Sequence, residues 1–225
     1  MAAQSLAPEE PQAVVTHRAV ALWEIVSVVS SCLIAEWLVV SFAGRNKLIF
    51  AIPILLAVGL MVFSHRERGE GLRDVGFRID NFFTAGRLLL LPTVLAVIII
   101  VVAGWFMNHT LLTGSFRPRF LWLPLWALFQ QYALNGFINR RAQLALGKGT
   151  KSIALVAVVF SLLHLPNPLL AVATLLGGFV WAAAYQKHIN LFALALSHAV
   201  VSITMALTIS PGLLNSLRVG FKYFG

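Results

Sequence analysis

Seven long apolar segments run through this chain, and they constrain its fold more than any other feature. A helix needs roughly 20 mostly apolar residues to cross about 30 Å of hydrocarbon. The segments that approach this length lie between charged or Gly/Pro-rich breaks, at residues 22–43, 47–63, 86–107, 120–138, 152–166, 168–186 and 190–209. The sequence therefore predicts an all-α fold, a polytopic transmembrane bundle of about seven helices.

The composition favours a bilayer as the natural environment. Hydrophobic residues make up 59% of the chain and charged residues 11%, whereas about 25% of the residues in a soluble domain are charged. The formal net charge is +9, but the basic residues occupy short loops at the predicted membrane edges. We interpret them, Arg140 and Arg141 included, as topology determinants and contacts for anionic lipid. We expect the lipid bilayer as a partner and no nucleic acid.

The polar N-terminal stretch differs from the rest of the chain. Residues 1–20 predict a disordered leader without the order of regions found in a cleavable signal peptide, and residues 21–225 predict one integral membrane domain. With seven spans, one side of the membrane collects eleven Arg and Lys residues and the other side six. The positive-inside rule then predicts a cytoplasmic N-terminus, in the cell or inner membrane.

Acidic residues are confined to the first part of the chain, with none after Asp80. Any catalysis in the second half must therefore proceed without a local carboxylate. In the first span, Glu24 is interpreted as an edge residue that snorkels to the interface. Glu36 lies near mid-span, so it should be neutral, paired or facing water.

The second half carries a ridge of amide side chains. On a helix Gln131, Asn135 and Asn139 follow one another at a spacing of four residues and share one face, with Gln130 beside them. Such amides can link neighbouring helices or line a functional site.

Two histidines follow at helical spacing from other residues. Phe160 and His164 lie one turn apart, and so do His198 and Ser202. A lone membrane histidine is usually an interhelical donor, but two of them in helices that flank a polar ridge favour a site.

Two shorter patterns predict how the last spans pack. Pro166-Asn167-Pro168 predicts a tight turn between the fifth and sixth spans, because proline stops the preceding helix. Gly177 and Gly178 predict a notch for close helix packing, with a substrate approach path as the alternative.

The order of these polar groups resembles the CPBP family, the CAAX-protease and bacteriocin-processing membrane proteins, also described as lysostaphin-resistance-A-like or abortive-infection proteins. That family's pattern is Glu-Glu-x-x-x-Arg-Gly, then Phe-x-x-x-His, then His-x-x-x-Asn/Asp. The matching positions in this chain are Gln130, Gln131, Asn135, Gly136, Phe160, His164, His198 and Ser202. The likeness covers about residues 70–210, which we interpret as a CPBP-like core.

The resemblance implies an intramembrane endopeptidase. Its catalytic positions would be Gln130, Gln131, Asn135, His164, His198 and Ser202. In the family, the first glutamate is thought to activate water with help from histidine, and a metal-dependent mechanism has also been proposed. In this chain both motif glutamates are glutamines, and an amide cannot act as a general base, although it can orient water or a carbonyl.

A zinc ion could in principle be bound by His164 and His198. Catalytic zinc usually has three protein ligands, and the candidates for a third are Glu36 and His109.

Three function classes stay open. The first is an endopeptidase in which His164 or His198 acts as base while Gln130 and Gln131 bind the scissile carbonyl. The second is a catalytically inactive family member that binds a transmembrane segment, a prenylated or other lipid-modified peptide, or a partner membrane protein. The third is a small transporter, which fits the buried polar residues in general terms, but the chain lacks the paired repeats typical of such folds.

Overall fold

The described part of the chain is entirely helical in its regular structure. The computed structural model describes residues 11–43, 46–108 and 121–225, and no strand occurs among them. The elements in chain order are α1 (Pro11–Leu33), a π-helical segment (Ile34–Val39), α2 (Val40–Ala43), α3 (Lys47–Glu67), α4 (Leu72–Val75), α5 (Phe82–Asn108), α6 (Leu123–Gln131), a second π-helical segment (Tyr132–Asn139), α7 (Arg140–Leu146), α8 (Thr150–Leu162), α9 (Pro168–Lys187), α10 (Leu191–Thr208), α11 (Pro211–Leu214) and two 3₁₀ turns (Asn215–Leu217 and Gly220–Phe224). The predicted all-α class is confirmed.

Several of these helices have the dimensions of membrane spans. Five stretches of the described residues are long and apolar enough to cross a membrane, namely Val15–Phe42, Leu48–Glu67, Phe82–Met107, Pro168–Lys187 and Leu191–Thr208. This finding indicates an integral membrane protein.

Two of the seven predicted spans do not meet the same criterion. The prediction for residues 152–166 corresponds to α8, which has 13 residues. The prediction for residues 120–138 corresponds to α6 and the second π-helical segment, which continue without a break into α7. That helix carries the amide ridge, which makes it less apolar than a typical span, so the count of seven is not confirmed.

The N-terminal boundary stays a prediction. Helix α1 begins at Pro11, inside the stretch predicted to be a polar leader, and residues 1–10 lie outside the described residues.

Helix α10 forms the centre of the bundle, where it packs against α5, α6 and α9. Half of the residues in its most apolar stretch are buried inside the protein, whereas the share for α5 is 11%. Exposed apolar side chains on α5 are therefore expected to face lipid, while α10 provides the interior wall of a polar region inside the bundle.

Close approach of α8 and α9 closes the bundle beside that region. A Cβ atom added at Gly178 would lie 2.8 Å from the Cα atom of Ala157 in α8, closer than two such atoms can pack. Gly178 therefore acts as a packing notch. A Cβ at Gly177 would instead meet the Trp181 ring of its own helix, at 2.7 Å.

The predicted turn between α8 and α9 is present, and Asn167 organises it. Its side chain accepts a hydrogen bond from the Leu170 amide at 3.2 Å, as an N-cap of α9. Its amide nitrogen donates to the carbonyls of Leu214 and Arg218, at 3.0 and 3.2 Å. The C-terminal segment is thereby bound to the turn that follows α8.

Candidate functional site

The predicted amide ridge forms a continuous series of hydrogen bonds through Gln131, Asn135 and Asn139, which we call the amide chain. Gln131, Asn135 and Asn139 are each 0% exposed. Asn135 Nδ2 donates to Gln131 Oε1 at 2.6 Å, and Asn139 Nδ2 donates to Asn135 Oδ1 at 2.9 Å. The last two lie on the second π-helical segment, a local geometry that is frequent at functional sites.

Two backbone groups near the Asn139 end of the amide chain determine which amide atoms are donors and which are acceptors. Asn139 Nδ2 also donates to the Ala182 carbonyl at 3.2 Å, and a carbonyl can only accept. Gln186 Oε1 accepts from the Gly149 N–H at 2.9 Å, so its Nε2 donates to Asn139 Oδ1 at 3.0 Å and to Ser152 Oγ at 2.9 Å. These two backbone groups fix which atom is oxygen and which is nitrogen in the side-chain amides of Asn139 and Gln186.

The donor-to-acceptor direction of the amide chain determines the tautomer of His198. Because Gln131 Oε1 accepts from Asn135, the Gln131 amide nitrogen faces His198 Nδ1, at 3.2 Å. An amide N–H can only donate, so Nδ1 is the acceptor and a neutral His198 carries its proton on Nε2. His198 thus presents an N–H donor, with its lone pair already engaged.

Aromatic and hydroxyl contacts hold the His198 ring in place. Its centroid lies 4.5 Å from that of Trp181 and 5.7 Å from that of Phe160. Trp181 Nε1 donates to Ser197 Oγ at 3.0 Å, and Ser197 in turn bonds Thr93 Oγ1 at 2.7 Å. Helices α5, α9 and α10 therefore all contribute to the position of this histidine.

His164 has the opposite tautomer, with its proton on Nδ1. It is the second residue after α8 and is half-buried, and its Nδ1 donates to the Phe160 carbonyl at 2.7 Å. In the neutral ring the lone pair is consequently on Nε2. The Phe160 ring contacts both imidazoles, His164 at 4.7 Å and His198 at 5.7 Å between centroids. The fold has brought the two predicted histidines to one aromatic side chain.

Two predicted site residues stay outside this network. Gln130 and Ser202 are half-buried, and neither side chain makes a hydrogen bond to another part of the chain that the structure describes. Their assignment to catalytic positions stays a prediction from the resemblance.

The donors in the described ranges do not fit a catalytic zinc site. No group of three or more His, Cys, Asp or Glu side chains in those ranges could hold a metal ion, and a catalytic zinc usually has three protein ligands. Glu36 lies on the first π-helical segment and packs against Gly220 of the C-terminal segment. A Cβ atom added at Gly220 would lie 2.8 Å from the Cβ atom of Glu36. His109 lies outside the described residues.

Two polar residues in this part of the bundle were missed by the sequence analysis. Gln186 and Ser152 complete the amide chain although they lie on α9 and α8. Gln186 lies beside Lys187 in the last turn of α9, where polar residues are ordinary, so no local pattern marked it as part of the site.

One charged residue was assigned incorrectly, and another has an ion-pair partner that the sequence did not reveal. Arg141, interpreted as a loop residue that sets topology, is 0% exposed. Its Nε lies 3.0 Å from Oε2 of Glu24, so Glu24 is held in an ion pair inside the bundle. The partner of each residue is far away in sequence, and for that reason a local pattern could not reveal the pair.

Comparison with known proteins agrees with the resemblance drawn from the motifs. Residues 119–204 match the family model described as Type II CAAX prenyl endopeptidase Rce1-like. This segment contains all six predicted site positions, and the resemblance to the CPBP proteases is confirmed over it. No curated protein and no solved structure matches the chain significantly.

Proposed function

We propose that this protein uses a CPBP-type membrane fold to bind a membrane-embedded peptide without hydrolysing it. The hydrogen bond from Gln131 Nε2 to His198 Nδ1, at 3.2 Å, carries the proposal. In the family pattern a glutamate occupies position 131. A carboxylate there would accept from an Nδ1–H and leave Nε2 of His198 free to take a proton, whereas the amide imposes the reverse arrangement.

The neighbouring position strengthens the proposal. Gln130 stands where the family has the glutamate thought to activate water, and its amide cannot accept a proton near neutral pH. Positioned acid–base groups typically accelerate a reaction by roughly 10²–10⁴-fold, so we expect peptide hydrolysis by the natural chain to be slower than that of the family by at least this factor.

The retained histidines suggest how a peptide would be held. His198 offers an Nε2–H donor and His164 an Nε2 acceptor, both in contact with Phe160. A peptide group carries one acceptor and one donor, so it can satisfy both imidazoles at once. We propose a transmembrane segment, a prenylated peptide or a partner membrane protein as the bearer of that group, in a cell membrane with the N-terminus of this chain in the cytoplasm.

The test is a combined cleavage and crosslinking assay in liposomes. The probe is a farnesylated peptide with a CAAX-type C-terminus and a photoreactive residue near its scissile bond. We expect the natural chain to crosslink the probe without cleaving it, and the Gln130→Glu, Gln131→Glu double variant to cleave it. His164→Ala in the double-variant background should abolish cleavage, and Gln143→Glu, which adds a carboxylate elsewhere on the same helix, should not create it.

A second candidate function rests on His164. Since its Nδ1–H donates to the Phe160 carbonyl at 2.7 Å, its Nε2 can accept a proton, and this atom is the base of a surviving endopeptidase in that alternative. Cleavage by the natural chain that is lost in His164→Ala would favour this function over binding alone. Absence of both crosslinking and cleavage in the natural chain would reject both.

A further inference from the structure

A second buried polar cluster lies where α1, α3 and the loop after α3 meet α7. We call it the arginine cluster, and its members are Glu24, Ser64, His65, Arg68, Glu70, Arg140 and Arg141. None of these residues belongs to the amide chain or to the six predicted catalytic positions. A role for the arginine cluster is therefore independent of the proposed function.

The carboxylate of Glu24 has both oxygens occupied. Its Oε1 accepts from Ser64 Oγ at 2.7 Å. Its Oε2 lies 3.2 Å from Nη2 of Arg68 and 3.0 Å from Nε of Arg141. Two guanidinium groups therefore converge on a single carboxylate oxygen.

The carboxylate of Glu70 is equally occupied. Its Oε2 lies 2.7 Å from Nη2 of Arg141 and 2.7 Å from Nδ1 of His65, and its Oε1 accepts from Arg140 Nε at 2.8 Å. Burial by itself would raise the pKa of Glu70, but the hydrogen bonds from His65, Arg141 and Arg140 outweigh burial and hold that pKa well below its usual range. Glu70 is thus an anion at neutral pH.

The donors of the cluster, in contrast, are in surplus. Arg141 Nη1 and Arg68 Nε are buried and have no hydrogen-bond partner among the described residues. The guanidinium carbon of Arg141 lies 4.9 Å from the centre of the Phe137 ring, which attracts a cation but offers no lone pair. A buried charged donor without an acceptor is costly, so these atoms call for an acceptor.

The charges point in the same direction as the hydrogen bonds. Three arginines face two carboxylates, which leaves an excess of one positive charge in a largely buried place. A water molecule could accept from the free N–H groups but would leave that charge uncompensated. An anion would accept these hydrogen bonds and also compensate the positive charge. Guanidinium groups match the geometry of phosphate oxygens particularly well.

Arg68 provides the connection to the membrane surface. It is the residue directly after α3, at the end of a membrane-spanning helix, and its side chain is 23% exposed. Exposed Leu72, at the start of α4, and exposed Ile79 follow between α3 and α5, as expected for a segment in the interfacial layer. We propose that the arginine cluster binds the phosphate group of an acidic phospholipid at this edge of the membrane.

The first test measures lipid binding by native mass spectrometry in mild detergent, with phosphatidylglycerol and phosphatidylcholine as probes. The natural chain should retain phosphatidylglycerol in preference to phosphatidylcholine. Arg68→Gln should weaken this binding about tenfold, as expected for the loss of one hydrogen bond to a charged group. Arg68→Lys, which keeps the charge but has no Nε–H, should fall between the two.

The matched control is Arg66→Gln. Arg66 is exposed in the last turn of the same helix and has no ion pair with any described residue, so its loss should leave phosphatidylglycerol binding unchanged. An equal reduction in Arg66→Gln and Arg68→Gln would mean diffuse attraction to the surface and would overturn the proposal. Retention of phosphatidylglycerol by Arg68→Gln at the natural level would overturn it as well.

A second arm separates a lipid headgroup from free phosphate. Thermal unfolding of the delipidated protein is followed with inorganic phosphate, and with chloride at the same ionic strength. Stabilisation by phosphate that requires Arg68, without any preference for phosphatidylglycerol, would assign the site to the free ion. No Arg68-dependent effect of either phosphate source would leave the unpaired donors to water and end the proposal.

Discussion

Asn139 is the junction of the amide chain, and replacing it by alanine measures what that chain contributes to the fold. Its side chain donates to Asn135 Oδ1 at 2.9 Å and to the Ala182 carbonyl at 3.2 Å. It accepts from Gln186 Nε2 at 3.0 Å and from Gln143 Nε2 at 3.1 Å. The Asn139→Ala substitution removes all four hydrogen bonds from a position that is 0% exposed.

The expected cost depends on the hydrogen bonds that each partner keeps. Asn135 Oδ1 has no other donor among the described residues, and an orphaned buried acceptor costs about 1–3 kcal/mol. Gln186 keeps Ser152 and Gln143 keeps the backbone carbonyl of residue 139. For these and the Ala182 bond, the average of about 0.6 kcal/mol per membrane hydrogen bond applies. We therefore expect the free energy of unfolding to fall by about 3–5 kcal/mol.

Reversible unfolding in mixed micelles, driven by increasing SDS, measures this loss. The control is Gln143→Ala, which removes the half-buried amide that bonds only residue 139 and should cost about 1 kcal/mol or less. A loss below about 0.5 kcal/mol in Asn139→Ala, within the range of an ordinary surface substitution, would refute the reasoning.

The same variant tests the tautomer of His198. Selective ¹⁵N labelling of the histidine rings distinguishes an Nδ1–H from an Nε2–H tautomer by NMR. The natural chain should show His198 protonated on Nε2, and Asn139→Ala should show both forms, because Asn135 and then Gln131 become free to turn. An Nδ1–H in the natural chain would contradict the direction assigned to the amide chain.

Two further predictions concern packing and charge. Gly178→Ala should destabilise the protein by about 1–3 kcal/mol because its new Cβ would lie 2.8 Å from Ala157, whereas Gly59→Ala, with nothing within 4 Å of its Cβ, should be neutral or stabilising by up to about 1 kcal/mol. Thermal melting of both variants in one detergent makes the comparison. Glu70→Gln should cost about 1.5–3 kcal/mol at neutral pH because it weakens the charged hydrogen bonds from Arg140 and Arg141, while exposed Glu67→Gln should have little effect. Because the pKa of Glu70 is lowered in the folded state, its stabilisation is fully present above about pH 4.3, the usual value for glutamate, and is lost as the pH falls further, so the natural chain and Glu70→Gln should approach each other in stability only in acid.

Patterns within one helix were readable from the sequence. The four-residue spacing of Gln131, Asn135 and Asn139 predicted a shared face, and these three side chains do bond one another in that order. The turn at Asn167 and the notch at Gly178 were readable for the same reason, since both depend on residue types that act locally, a helix stop and a missing Cβ.

Partners on other helices were not readable. The sequence placed Glu24 at a membrane edge and Arg141 in a loop, yet the structure pairs them at 3.0 Å. A local pattern shows which face of a helix is polar, but it does not show which distant helix that face meets. For the same reason the sequence did not connect Asn139 with Gln186.

The amino-acid sequence alone was enough to establish a helical membrane protein, because length and hydropathy are properties of each segment by itself. It was also enough to order the CPBP-like positions and to show that an amide stands at each motif glutamate. The proton on His198 was decided by the tertiary structure, since it depends on a hydrogen-bond direction set by the Gly149 and Ala182 backbones on other elements. The surplus of donors around Arg141 was decided in the same way, because only the packed bundle determines which charges find partners.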